Sequence, residues 1–150
     1  MLPVPDPQTH DHAPPGWLPT FAAWLVAGGA TLGAIFLGEI MGLPICSLCW
    51  YQRSAMFPLA VLLPFALFPF NRSLLRPALV FALIGLALAI FHQSLVAGLI
   101  PADLQPCRQG VPCSETVIRW FDVVTIPLLS ILAFSLLAAL LAIALRRSTP

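Results

Sequence analysis

Four long apolar runs dominate the chain, and they constrain its fold more than any motif does. Phe21 to Met41 carries Glu39 as its only charge, and Ser54 to Phe70 is uncharged but holds Pro58, Pro64 and Pro69. Pro77 to Ile100 has His92 as its single ionisable group, and Val123 to Leu145 has no charge, with Pro127 near its start. A helix needs about 20 apolar residues to cross a hydrocarbon core about 30 Å thick. Such a core admits only segments that satisfy their own backbone hydrogen bonds. The runs therefore predict an all-α integral membrane protein, a four-transmembrane-helix bundle with helices at about 21–41, 54–70, 77–100 and 123–145. Composition points the same way. The chain is 59% hydrophobic and only 9% charged, where a soluble domain carries about a quarter charged residues.

Little sequence remains outside the runs. A tail of residues 1–20, rich in proline, reads as disordered and cytoplasmic, and His10 and His12 in it read as solvated rather than metal-binding. Residues 146–150 form a second short tail, and residues 21–145 make the single membrane domain. The first run exceeds the roughly 7–15 residues of a signal-peptide core and no lysine or arginine precedes it, so it reads as a retained helix. The net charge of +1 comes from arginine alone, which gives no footprint for nucleic acid.

Parity then sets the topology. The loops at 42–53 and 101–122 are separated by two helices and so share one side of the membrane. They contain all four cysteines, Cys46, Cys49, Cys107 and Cys113. Arg72, Arg76, Arg146 and Arg147 lie on the opposite side with both termini, against Arg53, Arg108 and Arg119 beside the cysteines. The positive-inside rule places the termini in the cytoplasm and the cysteines outside, where disulfides persist. In the first run, Gly29 and Gly33 form a small-xxx-small step expected to mark close helix packing. Trp17, Trp24, Trp50 and Trp120 fall near run ends, as an aromatic belt requires.

The stretch "PICSLCWYQR" carries the chemistry. A Cys-x-x-Cys pair is compatible with a redox couple, half of a zinc site or a structural disulfide. Zinc asks for two tight pairs, and the Cys107-x5-Cys113 pair is wide and framed by Pro106 and Pro112, so no metal site is expected. The redox reading has physical support. Cys46, Cys49 and Arg53 follow i, i+3, i+7 spacing and share a face if a helix begins near Pro44. A cysteine there feels the positive end of the helix and a guanidinium one turn away, and both favour thiolate. A thiolate at a membrane surface calls for a lipid-soluble acceptor, and Trp50 and Tyr51 offer flat surfaces to a quinone ring. Snorkelling at the interface is the competing role for Arg53. The second pair, in a polar loop, can meet a soluble protein, and thiol–disulfide exchange can link the two pairs.

"CSLCWYQR" with the downstream "C…VPCSE…W…TIP" resembles the disulfide bond formation protein B (DsbB) family, and especially its shorter BdbC-like branch. The likeness runs from about Thr31 into the fourth run. It implies a four-helix protein of the bacterial inner membrane that takes electrons from a soluble thioredoxin-fold dithiol oxidase and gives them to ubiquinone or menaquinone. By position, Cys46 and Cys49 match the quinone-proximal pair, Cys107 the cysteine that bonds the partner, and Cys113 its mate. Arg53 matches an arginine required for quinone interaction, and His92, in "IFHQSL", a histidine near the quinone. Gln52 departs from members with glutamate there, and Glu39, which ends the first run on the same side, could substitute for it. Two rivals stand beside this reading. In a vitamin K epoxide reductase-like enzyme the Cys-x-x-Cys follows the loop pair instead of preceding it. A transport or structural bundle would hold two inert disulfides.

Overall fold

The computed structural model describes residues 13–101, 119–120 and 124–148. Four long helices make up most of it. α1 spans Trp17–Ile35, α2 Ser47–Leu67, α3 Leu75–Val96 and α4 Ile126–Arg147. Each packs against two others, α1 and α3 both against α2 and α4, so the helices stand at the corners of a square. Among the described residues, three helical stretches are long and apolar enough to cross a membrane: Trp17–Ile40, Arg72–Val96 and Ile126–Arg147. α2 has the length, at 21 residues, but its second turn brings Gln52 and Arg53 into it. The sequence expectation of four spans is thus met by three.

The boundaries follow from local chemistry. Pro14, Pro15 and Gly16 precede α1, which begins four residues before Phe21 and draws Trp17–Thr20 out of the expected tail. Thr20 Oγ1 donates to the Gly16 carbonyl at 2.7 Å, which satisfies a hydroxyl that is fully buried. α1 runs on into a π-helical turn, Phe36–Ile40, where the Met41 N–H bonds the Phe36 carbonyl five residues back at 3.0 Å. Gly42, at φ +63°, turns the chain out of it, a backbone region that costs glycine nothing. α2 starts at Ser47 instead of Ser54, with Cys46 as its N-cap. Pro58 and Pro64 lie inside it, where neighbouring helices make such interruptions tolerable. Asn71 caps the 3-10 turn Arg72–Leu74 that leads into α3. Pro127 occupies the first turn of α4, where a missing N–H is harmless, and Arg146 and Arg147 occupy the last, where the helix dipole favours cations.

One departure from an all-helical fold precedes α4. β1, Arg119–Trp120, pairs antiparallel with β2, Val124–Thr125, in the register Arg119 to Thr125 and Trp120 to Val124. The helix expected from Val123 therefore starts only at Ile126. Thr125 Oγ1 donates to Gln93 Oε1 of α3 at 3.2 Å, which fastens β2 beside the end of α3.

The core is built from small residues facing large ones. Ala23, Ala27, Ala55, Ala66, Ala78, Ala82, Ala89 and Ala144 are buried together with Leu59, Leu63, Leu137, Leu141 and Phe134. Close approach happens at Gly85 of α3, where a Cβ would stand 2.1 Å from the Phe134 ring of α4. It does not happen at Gly29 and Gly33, since a Cβ on either meets nothing within 4 Å. The spacing of two glycines announces a smooth strip of helix without saying what lies against it. Outside, Leu18, Leu25, Leu32, Val61, Phe65, Val80, Leu83, Leu132 and Leu136 are exposed, the outward apolar surface a lipid-facing bundle requires and a soluble one avoids.

Candidate functional site

The site forms where the chain from Leu43 to Cys46 enters α2. Cys46 adopts an extended backbone (ψ 160°) and its sulfur accepts the Cys49 N–H at 3.2 Å. A sulfur thus does the work usually given to serine or aspartate at an N-cap. Both cysteines are free thiols, and they face different surroundings. Cys46 is buried, 7% exposed, among Leu48 and Leu95. Cys49 is half-buried and lines a cavity.

Behind Cys46 stands a chain of buried polar groups. His92 of α3 is buried and places Nε2 at 3.8 Å from the Cys46 sulfur. Its Nδ1 lies 3.1 Å from Nε2 of Gln52, itself buried on α2. With the Gln52 amide donating to Nδ1, the ring proton resides on Nε2 and points at the sulfur. The Cys46 thiol lies ahead of the helix and is pulled well below its usual range, first by the hydrogen bond from the Cys49 side chain and then by His92, against the opposing effect of burial. Cys46 is the thiolate of the pair.

In front of Cys49 is a cavity of about 280 Å³, near the lower end of small-molecule sites. Its walls are Ala30, Gly33, Ala34, Leu37 and Gly38 from α1 and its π turn, Leu43, Pro44 and Ile45, and Ile126, Leu129, Ser130, Ala133 and Phe134 from α4. From α2 come Cys49, Gln52, Arg53 and Met56. The lining is apolar except for Cys49, Gln52, Arg53 and Ser130. Arg53 donates from Nη2 to the Ala34 carbonyl, and its guanidinium carbon sits 5.6 Å from the centre of the Trp50 ring, within cation–π range. Gly38 leaves room for it: a Cβ there would fall 2.7 Å from Arg53 Nη2 and 2.8 Å from Ile45 Cδ1.

The structure thus brings Cys46, Cys49, Arg53 and His92 into one neighbourhood but gives them different stations. His92 is not in the cavity wall, although its hydrogen-bond partner Gln52 is. Trp50 is exposed and outside the lining, in contact with Arg53. Glu39 is exposed in the π turn and also outside the lining. Cys107 and Cys113 lie outside the described residues. Sequence reasoning missed the structural place of Gln52, which it took only as a departure from glutamate, and the wall supplied by α4. A glutamine three residues after Cys49 shares that residue's face of a helix, which was the one available signal.

Comparison with known proteins gives the family. Residues 17–144 match the family model for the disulfide bond formation protein DsbB. The chain is 46% identical over 135 residues to a "Probable disulfide formation protein" of Metapseudomonas resinovorans, covering 89% of this chain and 94% of that protein. It is 40% identical over 119 residues to "Disulfide bond formation protein C" of Bacillus subtilis (strain 168), covering 78% and 85%. A "Probable disulfide formation protein" of Coxiella burnetii (strain CbuK_Q154) is 36% identical over 116 residues, covering 75% and 78%. No solved structure matches the chain. With most of its length matched by the family model and by relatives well above 30% identity, the chain belongs to the DsbB family of membrane disulfide bond formation proteins.

Proposed function

We propose that this protein is a protein-dithiol:quinone oxidoreductase. It reoxidises a soluble, extracytoplasmic thioredoxin-fold dithiol oxidase and passes the electrons to ubiquinone or menaquinone in the membrane. All four helices span, with α2 entering as the one polar-headed span and both termini in the cytoplasm. The observation that carries the reading is the position of Cys49, which opens onto an apolar cavity with Arg53 in its wall while its mate is held behind it.

A thiolate of the partner attacks Cys107, and Cys113 leaves. The outer pair, now reduced, exchanges with the Cys46–Cys49 disulfide, so one disulfide forms as another breaks and two electrons move inward. The reduced inner pair has the structure described above. As the Cys46–Cys49 bond re-forms, the Cys46 thiolate and the Cys49 thiol give up two electrons and the single Cys49 proton toward the cavity. A quinone bound there would accept them and take the second proton of the quinol from water. Leu37, Ile45, Met56 and Leu129 would hold its ring, and Arg53 would stabilise negative charge developing on a carbonyl oxygen. His92 holds its proton against the Cys46 sulfur, and Gln52 fixes the imidazole that does so.

The test is a stopped reaction with purified protein, a reduced thioredoxin-fold dithiol protein and a soluble quinone analogue in the absence of oxygen. One quinone should be reduced for each dithiol oxidised. Dithiol oxidation with no dependence on quinone contradicts the proposal, and absence of either reaction assigns the cysteines to inert disulfides.

A further inference from the structure

We propose that, when the inner pair is reduced, Cys46, Cys49 and His92 form a binding site for a soft closed-shell cation such as zinc, which the disulfide form excludes. The sulfur and imidazole donor atoms of these three residues all lie within 4.8 Å of one another. The Cys46 sulfur to His92 Nε2 distance is 3.8 Å. A tetrahedral zinc ion with bonds of about 2.3 Å to sulfur and about 2.0–2.1 Å to nitrogen holds such atoms about 3.5 Å apart. A few tenths of an ångström of side-chain motion closes the Cys46–His92 gap, and the other two donor pairs, within 4.8 Å, need at most about 1.3 Å.

The donors are of the right kind. Two thiolates and an imidazole select zinc, cadmium or copper(I) over magnesium and calcium. A dication with two thiolates and a neutral imidazole carries no net charge, which suits a buried setting. The three protein ligands leave one coordination position open for water. Binding needs no electron transfer: the cation joins the Cys46 thiolate and displaces the one thiol proton on Cys49, which is released. Spacing alone hides the site, because His92 stands 46 positions from Cys46 and on another helix.

Gln52 completes the arrangement. A metal on Nε2 leaves the imidazole proton on Nδ1, and the amide of Gln52 can turn its carbonyl oxygen toward it. Partners of this kind on ligating histidines are worth roughly 10- to 100-fold in metal affinity. An amide, unlike a carboxylate, serves the imidazole in both tautomers, so the same residue fits the thiolate and the metal-bound states. Metal binding and turnover compete for the same sulfurs. This inhibitory consequence rests on the redox role proposed above, whereas binding itself does not.

Cobalt(II) is the probe. The full chain carrying Cys107→Ser and Cys113→Ser, so that the inner pair supplies the only thiols, is reduced and titrated without oxygen. A single equivalent should produce thiolate-to-cobalt absorbance that zinc abolishes by displacement. The same protein oxidised with diamide should show none. Gln52→Leu should weaken binding roughly 10- to 100-fold, and His92→Gln at least as much. If His92→Gln does not fold, Gln52→Leu and the reduced-against-oxidised comparison carry the test. Failure of the reduced protein to take up cobalt overturns the proposal, as does cobalt affinity unchanged by both the Gln52 and His92 substitutions. Neither outcome bears on quinone reduction, which is read separately.

Discussion

Cys46 and Cys49 are three residues apart in one motif, and the bundle gives them opposite surroundings. Behind Cys46 is a buried imidazole outside the cavity wall, held by the buried amide of Gln52, whose residue also lines the cavity. Before Cys49 is apolar space walled by α1 and α4, with one guanidinium. The first environment favours charge on a sulfur; the second leaves a sulfur facing open apolar space. A Cys-x-x-Cys pair reads as symmetrical in a sequence, and here the division of labour comes from where the other helices stand.

Removing either sulfur gives the largest expected effect. Cys46→Ser and Cys49→Ser should each abolish quinone-coupled dithiol oxidation, yet they should differ in what remains. In the Cys46→Ser protein, the remaining Cys49 should react with a bulky maleimide through the cavity. In the Cys49→Ser protein, the buried Cys46 should react far more slowly. Equal labelling rates, measured by mass shift in the background lacking Cys107 and Cys113, would erase the distinction between the two sides.

Arg53 belongs to the cavity side alone. A hydrogen bond to a charged group is worth about 1.5–3 kcal/mol, so Arg53→Ala should raise the apparent KM for quinone roughly 10- to 100-fold. Disulfide exchange with the soluble dithiol protein should be preserved. Arg53→Lys should recover only part, because an ammonium lacks the planar fork. Steady-state kinetics with quinone and dithiol varied independently separate the two effects.

His92 belongs to the other side, and its mark is a pH profile. The Cys46 pKa lies below that of a free thiol, near 8.5, so the thiolate persists as pH falls and is lost only through the lowered folded value. The same sign applies to stability: the thiolate's contribution to the reduced protein is complete above the free-thiol value and declines toward the folded one. His92→Gln removes one lowering contact, and the midpoint of Cys46 alkylation by iodoacetamide should rise by roughly one unit. A midpoint unmoved by this change would make His92 a packing residue.

The smallest effect comes from Gly38. A methyl group there would meet the Arg53 guanidinium and Ile45, and both can give way at the ends of flexible side chains. An off-rotamer side chain costs about 0.5–1.5 kcal/mol, so Gly38→Ala should raise the quinone KM roughly two- to tenfold. Gly29→Ala, whose Cβ meets nothing within 4 Å, should leave it unchanged. The pair of kinetic measurements reads how tightly the guanidinium is positioned.

Much of this was legible in the sequence, and the misses have physical causes. Apolar length found the helices, but it started the second at Ser54 because Trp50, Tyr51, Gln52 and Arg53 are not apolar. Helix formation there depends on an N-cap, and a cysteine sulfur is an unusual one. The same polar turn keeps α2 from qualifying as a span on composition. The glycines of α1 pointed to close packing that occurs instead at Gly85, because a small side chain does not name its neighbour. The cysteine pattern pointed to Cys46 and Cys49, yet the hydrogen bond between Gln52 and His92 joins residues 40 positions apart. No local rule connects them. The partition of the cavity between α1 and α4 is likewise a product of helix order in space.

The central claim, that the acceptor binds on the Cys49 side, is tested most directly by photolabelling with a quinone that carries a photoreactive ring substituent. Digestion and mass spectrometry of the irradiated protein should place the label on the cavity wall, on Leu37, Ile45, Met56 or Leu129, and excess unmodified quinone should suppress it. Label concentrated instead on the α3 side, around His92 and Leu95, would put the acceptor behind Cys46 and contradict the account.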